Sequence, residues 1–263
     1  MDLQLGGKTA LVTGSTAGIG LEIARKLAQE GAQVVITGRN QDKLDQALQS
    51  IRASGAAVVR GVLADAATAE GAAVLRRAVP EVDVLINNLG IYEIKPFAEV
   101  SDADWLRYFE TNVLSGVRLA REYFAGMLAR NWGRIIFISS ESGLMTPGAM
   151  IHYGMTKTAQ LAVSRGLAEL TRGTGVTVNS VLPGPTRSEG IVDFLRSISS
   201  QPDAAPEQLE AEFFAKARPT SLLQRMIEPE EVASLVAYVA SPLSSSTNGA
   251  ALRVDGGVVP SIV

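Results

Sequence analysis

In the heptapeptide IHYGMTK, residues 151 to 157, a phenol and an ammonium stand four positions apart, Tyr153 and Lys157. Residues at i and i+4 share one face of a helix, so both side chains can reach into one cleft. A cation beside a phenol favours the phenolate and lowers its pKa from about 10. Bringing that value near neutrality takes roughly three units, about 4 kcal/mol of differential stabilisation. That demand points to proton transfer, which one pair by itself does not establish. Of the five tyrosines only Tyr153 has a lysine at the fourth following position; the others have Pro96, Asn112, Met127 and Pro242.

A second chemical feature lies near the N-terminus. The stretch TALVTGSTAGIGLEIARKLAQEG runs from a β-branched segment through Gly14, Gly18 and Gly20 into an amphipathic helical pattern. Glycines let the backbone approach a pyrophosphate closely, and the N-terminus of the following helix offers free N–H groups and a positive dipole. An acceptor for the adenosine ribose is expected about 20 residues further on, at the end of the second strand. There the sequence reads ITGRN, with Gly38 where an acidic residue would hold a free 2'-hydroxyl and Arg39 next to it. An arginine fork suits a 2'-phosphate and stacks on adenine, which favours NADP, with NAD possible.

These groups need a scaffold, and the remainder of the chain supplies one. Short β-branched runs alternate with longer helical patterns, as in parallel strands joined by crossover helices. Strands are expected near residues 9–13, 33–37, 57–62, 82–87, 134–139, 176–181 and 250–254. Helices are expected over 21–31, 41–53, 102–130, 153–171 and 229–240. The pattern predicts one α/β domain over residues 1–263, a Rossmann-type doubly wound, seven-stranded and mostly parallel sheet with helices on both faces. The connection from Pro183 to Glu228 is far longer than an ordinary loop. Two short helical stretches within it, SEGIVDFLRSI and PEQLEAEFFAKA, carry Ile191, Phe194, Leu195, Phe213 and Phe214. Residues 185–228 are therefore expected to form a lid over a substrate.

Bulk properties exclude several classes. At 263 residues with 46% hydrophobic and 19% charged residues, the chain can bury a large core. A net charge of -3 with no basic patch argues against nucleic acid and anionic membrane as partners. The absence of cysteine removes disulfides, thiolate metal sites and thiol nucleophiles, and His152 is the single histidine, so no metal site is expected. The N-terminus lacks a signal-peptide pattern, and the uncharged stretch 232–252 is broken by Pro242 and a serine-threonine run, so a cytoplasmic location is expected.

TGSTAGIG, NNLG at 87–90, Asn112, Ser140, the Tyr153/Lys157 pair and the PG at 183–184 together resemble the short-chain dehydrogenases/reductases, over nearly the whole chain. The resemblance implies that Tyr153 is the general acid or base, that Lys157 lowers its pKa and holds the nicotinamide ribose, and that Ser140 hydrogen-bonds the reacting oxygen. It implies that Asn112 holds a water in a proton relay behind Lys157. For the cofactor it implies contacts from Gly14, Thr16, Gly18, Ile19, Gly20, Arg39, Asp65, Asn88, Gly90, Pro183, Gly184 and Thr186. Two positions depart from the family pattern, Leu89 and Ala66, and Leu89 is expected to crowd the ribose region. Hydride transfer to a carbonyl builds negative charge on oxygen, and hydroxyl donors aimed at it stabilise the transition state.

The expected activity is interconversion of an alcohol and a carbonyl compound. A catalytically silent dinucleotide-binding sensor is the alternative from another class, and a sugar-nucleotide epimerase or dehydratase changes the reaction but keeps the cofactor. Met145, Met150, Tyr92, Ile191 and Phe194 are candidate pocket residues for an apolar or aromatic carbonyl compound, and Ser142 could touch it. His152 is expected to be a bystander or pocket wall, Glu141 to face solvent or an interface, and Trp105 and Trp132 to pack. The family also implies a homotetramer with one interface formed by helices 102–130 and 153–171.

Overall fold

The computed structural model describes residues 2–55, 58–188 and 190–262. Seven strands, β1 (Thr9–Val12), β2 (Gln33–Gly38), β3 (Val59–Leu63), β4 (Val84–Asn87), β5 (Gly133–Ile138), β6 (Val176–Pro183) and β7 (Ala251–Val254), pair in the order β3-β2-β1-β4-β5-β6-β7. Every pairing is parallel. Parallel neighbours require crossovers over a sheet face, and the helices cover both faces. The sheet is thus the expected Rossmann-like arrangement, all-parallel rather than mostly so.

Nine α-helices connect the strands among the described residues: α1 (Gly18–Gln29), α2 (Gln41–Ala53), α3 (Ala69–Ala78), α4 (Asp102–Phe109), α5 (Ser115–Ala129), α6 (Ile151–Glu169), α7 (Ile191–Ile198), α8 (Pro206–Lys216) and α9 (Pro229–Ala240). Alternate residues of each strand enter opposite cores, as period-two geometry demands. Val12, Ile36 and Ile86 join Ile23 and Leu27 of α1 and Val236 of α9 on one face. Leu11, Val35 and Leu85 join Leu75 of α3, Leu119 of α5 and Val178 on the other. Each such side chain, wholly removed from water, contributes about 1.5–3 kcal/mol.

The expected boundaries hold to within a few residues. The third strand starts at Val59 rather than at Ala57, which lies outside the described residues, as does Glu189 in the connection after Pro183. One difference matters for the site. The helix expected over 102–130 is split by a π-helical turn, Glu110–Leu114, between α4 and α5. No helix of the described residues is long and apolar enough to cross a membrane. A small third apolar cluster of Leu195, Leu209, Phe213, Phe214 and Met226 holds α7 and α8 together.

Candidate active site

The sheet order reverses between β1 and β4, and ligands of open α/β sheets bind outside the carboxyl ends of the strands at such a point. The loop after β1 is shaped by glycine. Gly14 and Gly18 have φ of +59° and +54°, which L side chains rarely adopt. A Cβ at Gly20 would run into the Gly14 carbonyl oxygen and Asn88 Nδ2. The Asn88 amide donates to the Thr13 and Gly14 carbonyls at 2.9 and 3.0 Å, so this side chain holds the turn. Helix α1 has no side-chain cap and no acid in its first turn, so its first N–H groups face the loop after β1 without a side-chain partner. Ala17, Gly18, Ile19 and Gly20 line a cavity of about 920 Å³. Uncapped N–H groups at a helix N-terminus suit a diphosphate.

The same cavity is walled by Asn88, Gly90, Ser140, Tyr153, Lys157, Pro183, Gly184 and Thr186. Tyr92, Met145, Met150, Ile191, Phe194 and Ser142 line it as well, matching the candidate pocket residues. Gly14, Thr16, Arg39 and Asp65 lie outside its lining. Thr16 packs on the end of β2, where a Cβ at Gly38 would stand 2.5 Å from Thr16 Cγ2. Arg39 is exposed, and Asp65 follows β3 and accepts the Ala67 N–H at 3.0 Å. Leu89 packs against the second core and abuts the glycine turn, where a Cβ at Gly14 would stand 3.1 Å from its Cα.

Main-chain straps set the serine against the tyrosine. Ser139 Oγ donates to the Lys157 carbonyl at 2.9 Å, and Thr158 Oγ1 donates to the Gly143 carbonyl at 2.8 Å. Ser139 is thereby spent on structure, and Ser140 is the serine whose hydroxyl favours ionisation of the half-buried Tyr153 phenol. The ring of Tyr92 meets that of Tyr153 edge-on at 6.2 Å.

Lys157 is buried, with its Nζ 5.5 Å from the Tyr153 ring centroid. It donates to the Ile138 carbonyl at 3.0 Å and to Gln160 Oε1 at 3.2 Å. Burial lowers its pKa to about 8, partly offset by the Glu141 charge. The phenol moves the opposite way from the expectation of an acidic tyrosine. Burial first and then the Glu141 charge push Tyr153 up, against the opposing effects of the Ser140 hydroxyl and the Arg218 charge. Desolvation disfavours the charged form of each group and is the largest cause for both.

Asn112 sits in the π-helical turn, buried, where such a turn releases main-chain groups from the helical ladder. Its side chain donates to the Ile91 carbonyl and to Thr156 Oγ1, both at 3.0 Å, and accepts the Ile91 N–H at 2.8 Å. Its carbonyl accepts from Gln160 Nε2 at 2.7 Å. The Gln160 amide therefore links the Asn112 carbonyl to Lys157. Sequence reasoning misses Gln160, although it stands one turn beyond Lys157 and two beyond Tyr153 on the same face.

Glu141 corrects a second expectation. It is 3% exposed rather than facing solvent or an interface. The Ser140 hydroxyl donates to its Oε2, and Arg218 donates through Nε and Nη2 to its Oε1 at 3.2 and 3.1 Å. His152 lies outside the cavity lining, packed at 4.4 Å from the Tyr108 ring and 6.2 Å from Trp105. Burial pushes its pKa down. Trp105 and Trp132 pack as expected, the latter beneath Lys8 at 3.9 Å.

Residues 8–196 match the sequence profile of the short chain dehydrogenase family. The chain is 49% identical to the uncharacterized oxidoreductase YvaG of Bacillus subtilis over 263 residues, all of both chains. It is 33% identical over 259 residues to the galactitol 2-dehydrogenase (L-tagatose-forming) of Cereibacter sphaeroides, covering 97% and 96% of the two. Among solved structures, L-sorbose reductase from Gluconobacter frateurii complexed with NADPH and L-sorbose superposes with a TM-score of 0.91, at 30% identity and full coverage of both chains. With the parallel sheet, the glycine turn and the profile in agreement, the chain belongs to the short-chain dehydrogenase/reductase family of oxidoreductases.

Proposed function

We propose that the protein interconverts an alcohol and a carbonyl compound, with a nicotinamide dinucleotide as partner, NADP favoured and NAD possible. The observation that carries this reading is that the uncapped start of α1 and the Ser140, Tyr153, Lys157 group open into one cavity. When bound, the dinucleotide supplies or takes up the two electrons. The first-turn amides of α1 hold its diphosphate, Arg39 meets a 2'-phosphate, Asp65 lies by the adenine, and Gly90, Pro183, Gly184 and Thr186 border the ribose and nicotinamide. Lys157 holds the ribose hydroxyls, and Asn112 supports Lys157 through Gln160.

Tyr153 gives its proton to the substrate oxygen in reduction and takes it back in oxidation, while Ser140 donates a hydrogen bond to that oxygen. Because burial keeps the phenol protonated, the acid form of Tyr153 is ready for the reductive direction. Residues 185–228 close over the substrate as a lid on a single domain spanning 1–263, and Tyr92, Met145, Met150, Ile191 and Phe194 favour an apolar or aromatic carbonyl compound. Similarity to the L-sorbose and galactitol enzymes adds ketoses and polyols to the candidate substrates. A cytoplasmic homotetramer acting on small molecules completes the reading.

The test is NADPH consumption across aldehydes, ketones, 3-oxoacyl thioesters, sugars and steroids, for the unmutated protein and Tyr153→Phe. Loss of the general acid lowers kcat by about 10²–10⁴-fold. Equal activity in the two proteins overturns the reading.

A further inference from the structure

Glu141 has no place in the chemistry described so far, yet it is a buried carboxylate next in sequence to Ser140 and partnered from a distant part of the chain. Its partner Arg218 follows α8, 77 residues away, and lines the same cavity. The side chains of this pair are 13% and 5% exposed, so solvent screens the contact little. Aromatic contacts run alongside: Tyr153 meets Tyr92, Tyr92 meets Phe194 of α7 at 6.3 Å, and Phe194 meets Phe213 of α8 at 6.4 Å. The Arg218 guanidinium lies 5.7 Å from the Phe213 ring.

A hydroxyl carries one proton. Ser140 directs it at Glu141 Oε2 and accepts the Ser142 N–H at 3.1 Å, so the hydroxyl must turn its proton away from Glu141 to donate to a substrate oxygen, and Glu141 sets that balance. We propose that Glu141 and Arg218 are positioning residues: Arg218 seats the segment after Pro183 on Glu141, and the paired carboxylate sets the Ser140 hydroxyl and the field at Tyr153. This rests on the reading of Tyr153 and Ser140 as the reacting pair. The charged and titratable groups that face the phenol are Glu141, Arg218, Tyr92 and Lys157. Of these, Glu141 opposes loss of the phenolic proton and Arg218 assists it. The segment that covers the cavity therefore carries the charge that compensates Glu141. An unseated segment would leave the carboxylate bare beside Tyr153 and hold the phenol in its acid form.

The pair is tested without turnover. Tyrosine labelled with ¹³C at Cζ reports each phenol by NMR, and the Tyr153 signal is the one missing from Tyr153→Phe. Glu141→Gln is expected to ionise Tyr153 at least one pH unit below the unmutated protein, and Arg218→Gln to ionise it later. The double variant, which leaves no unpaired buried charge and guards against misfolding of the single ones, is expected to follow Glu141→Gln. Arg218→Lys restores the charge but not the fork and should lie between the unmutated protein and Arg218→Gln. Amide exchange over 191–217 should rise at least tenfold in both single variants. Coincident Tyr153 titrations in the unmutated protein, Glu141→Gln and the double variant, or unchanged exchange in Arg218→Gln, overturn the proposal. An active Tyr153→Phe instead sinks the catalytic reading and leaves these titrations as they are.

Discussion

Lys157 Nζ and Gln160 Oε1 stand 3.2 Å apart, one helical turn from each other and both out of reach of solvent. The other end of the same amide donates to the Asn112 carbonyl at 2.7 Å, so one side chain joins the π-helical turn to α6. Gln160→Leu removes both bonds while keeping the volume. It takes a side-chain donor from the buried Asn112 carbonyl, a cost of about 1–3 kcal/mol, to be read as a lower urea midpoint. Lys157 loses an acceptor of its charged form, so its pKa drops below about 8. Gln160→Glu places an anion there and moves Lys157 upward. Stability and Lys157 titration unchanged in Gln160→Leu would remove the amide from any role in the site.

Lys157 makes stability depend on pH in an unusual direction. Its pKa is about 8 when folded against an ordinary value of 10.5, so between those values the unfolded chain binds more protons. Stability from this group is therefore lowest below pH 8 and rises toward pH 10.5, by about 3 kcal/mol in all. Lys157→Met has no such proton to lose. Its stability curve, subtracted from that of the unmutated protein, should isolate this rise between about pH 8 and 9.5, where most other groups are settled. A flat difference across that range would mean that the ammonium is not desolvated.

How far the sequence reveals this site depends on the range of the interaction. Helix 41–53 is read from the sequence to the residue because amphipathic spacing is local, and the structure adds Asn40 as its cap. The cradle of Gly14, Gly18 and Gly20 is legible for the same reason, since only glycine tolerates those backbone angles. The π-helical turn at Asn112 is not, because it leaves no residue pattern in a segment that continues as helix on both sides. Gln160 could have been found from its spacing to Lys157. Glu141 could not, because the arginine that buries it comes from 77 residues away. The tyrosine's acidity fails for a related reason: spacing gives the proximity of Lys157 but says nothing of the desolvation of both groups, which prevails.

Cofactor choice should turn on Arg39, which is exposed at the end of β2 with no hydrogen bond or ion pair among the described residues. A hydrogen bond between charged groups contributes about 1.5–3 kcal/mol, so Arg39→Ala should weaken NADPH binding roughly tenfold to a hundredfold and leave NADH unchanged. Fluorescence titration with both nucleotides checks this. Gly38→Asp, the obvious route to an NAD enzyme, is expected to fail by itself because its Cβ meets Thr16 Cγ2 at 2.5 Å. Combining it with Thr16→Gly clears that space and should admit the 2'-hydroxyl of NADH. Equal loss of both nucleotides in Arg39→Ala would show that the side chain does not read the phosphate.

Assembly can be tested on α5 and α6, which together leave a largely apolar groove of about 330 Å³ lined by Val117, Ala120, Arg121, Phe124, Val163 and Leu167. Burial of such a strip against a second copy gains about 25 cal/mol per Å² of apolar area, and an aromatic at its centre gives the largest share. The unmutated protein is expected to sediment at four times its 27.7 kDa chain mass. Phe124→Asp places a charge in the strip and should yield a smaller species at the same protein concentration. The Phe124 side chain lies on the α5 side of the sheet, away from the glycine turn, so its replacement should leave nucleotide binding intact. A single-chain mass for the unmutated protein, or an undiminished assembly in Phe124→Asp, rules out this face as the interface.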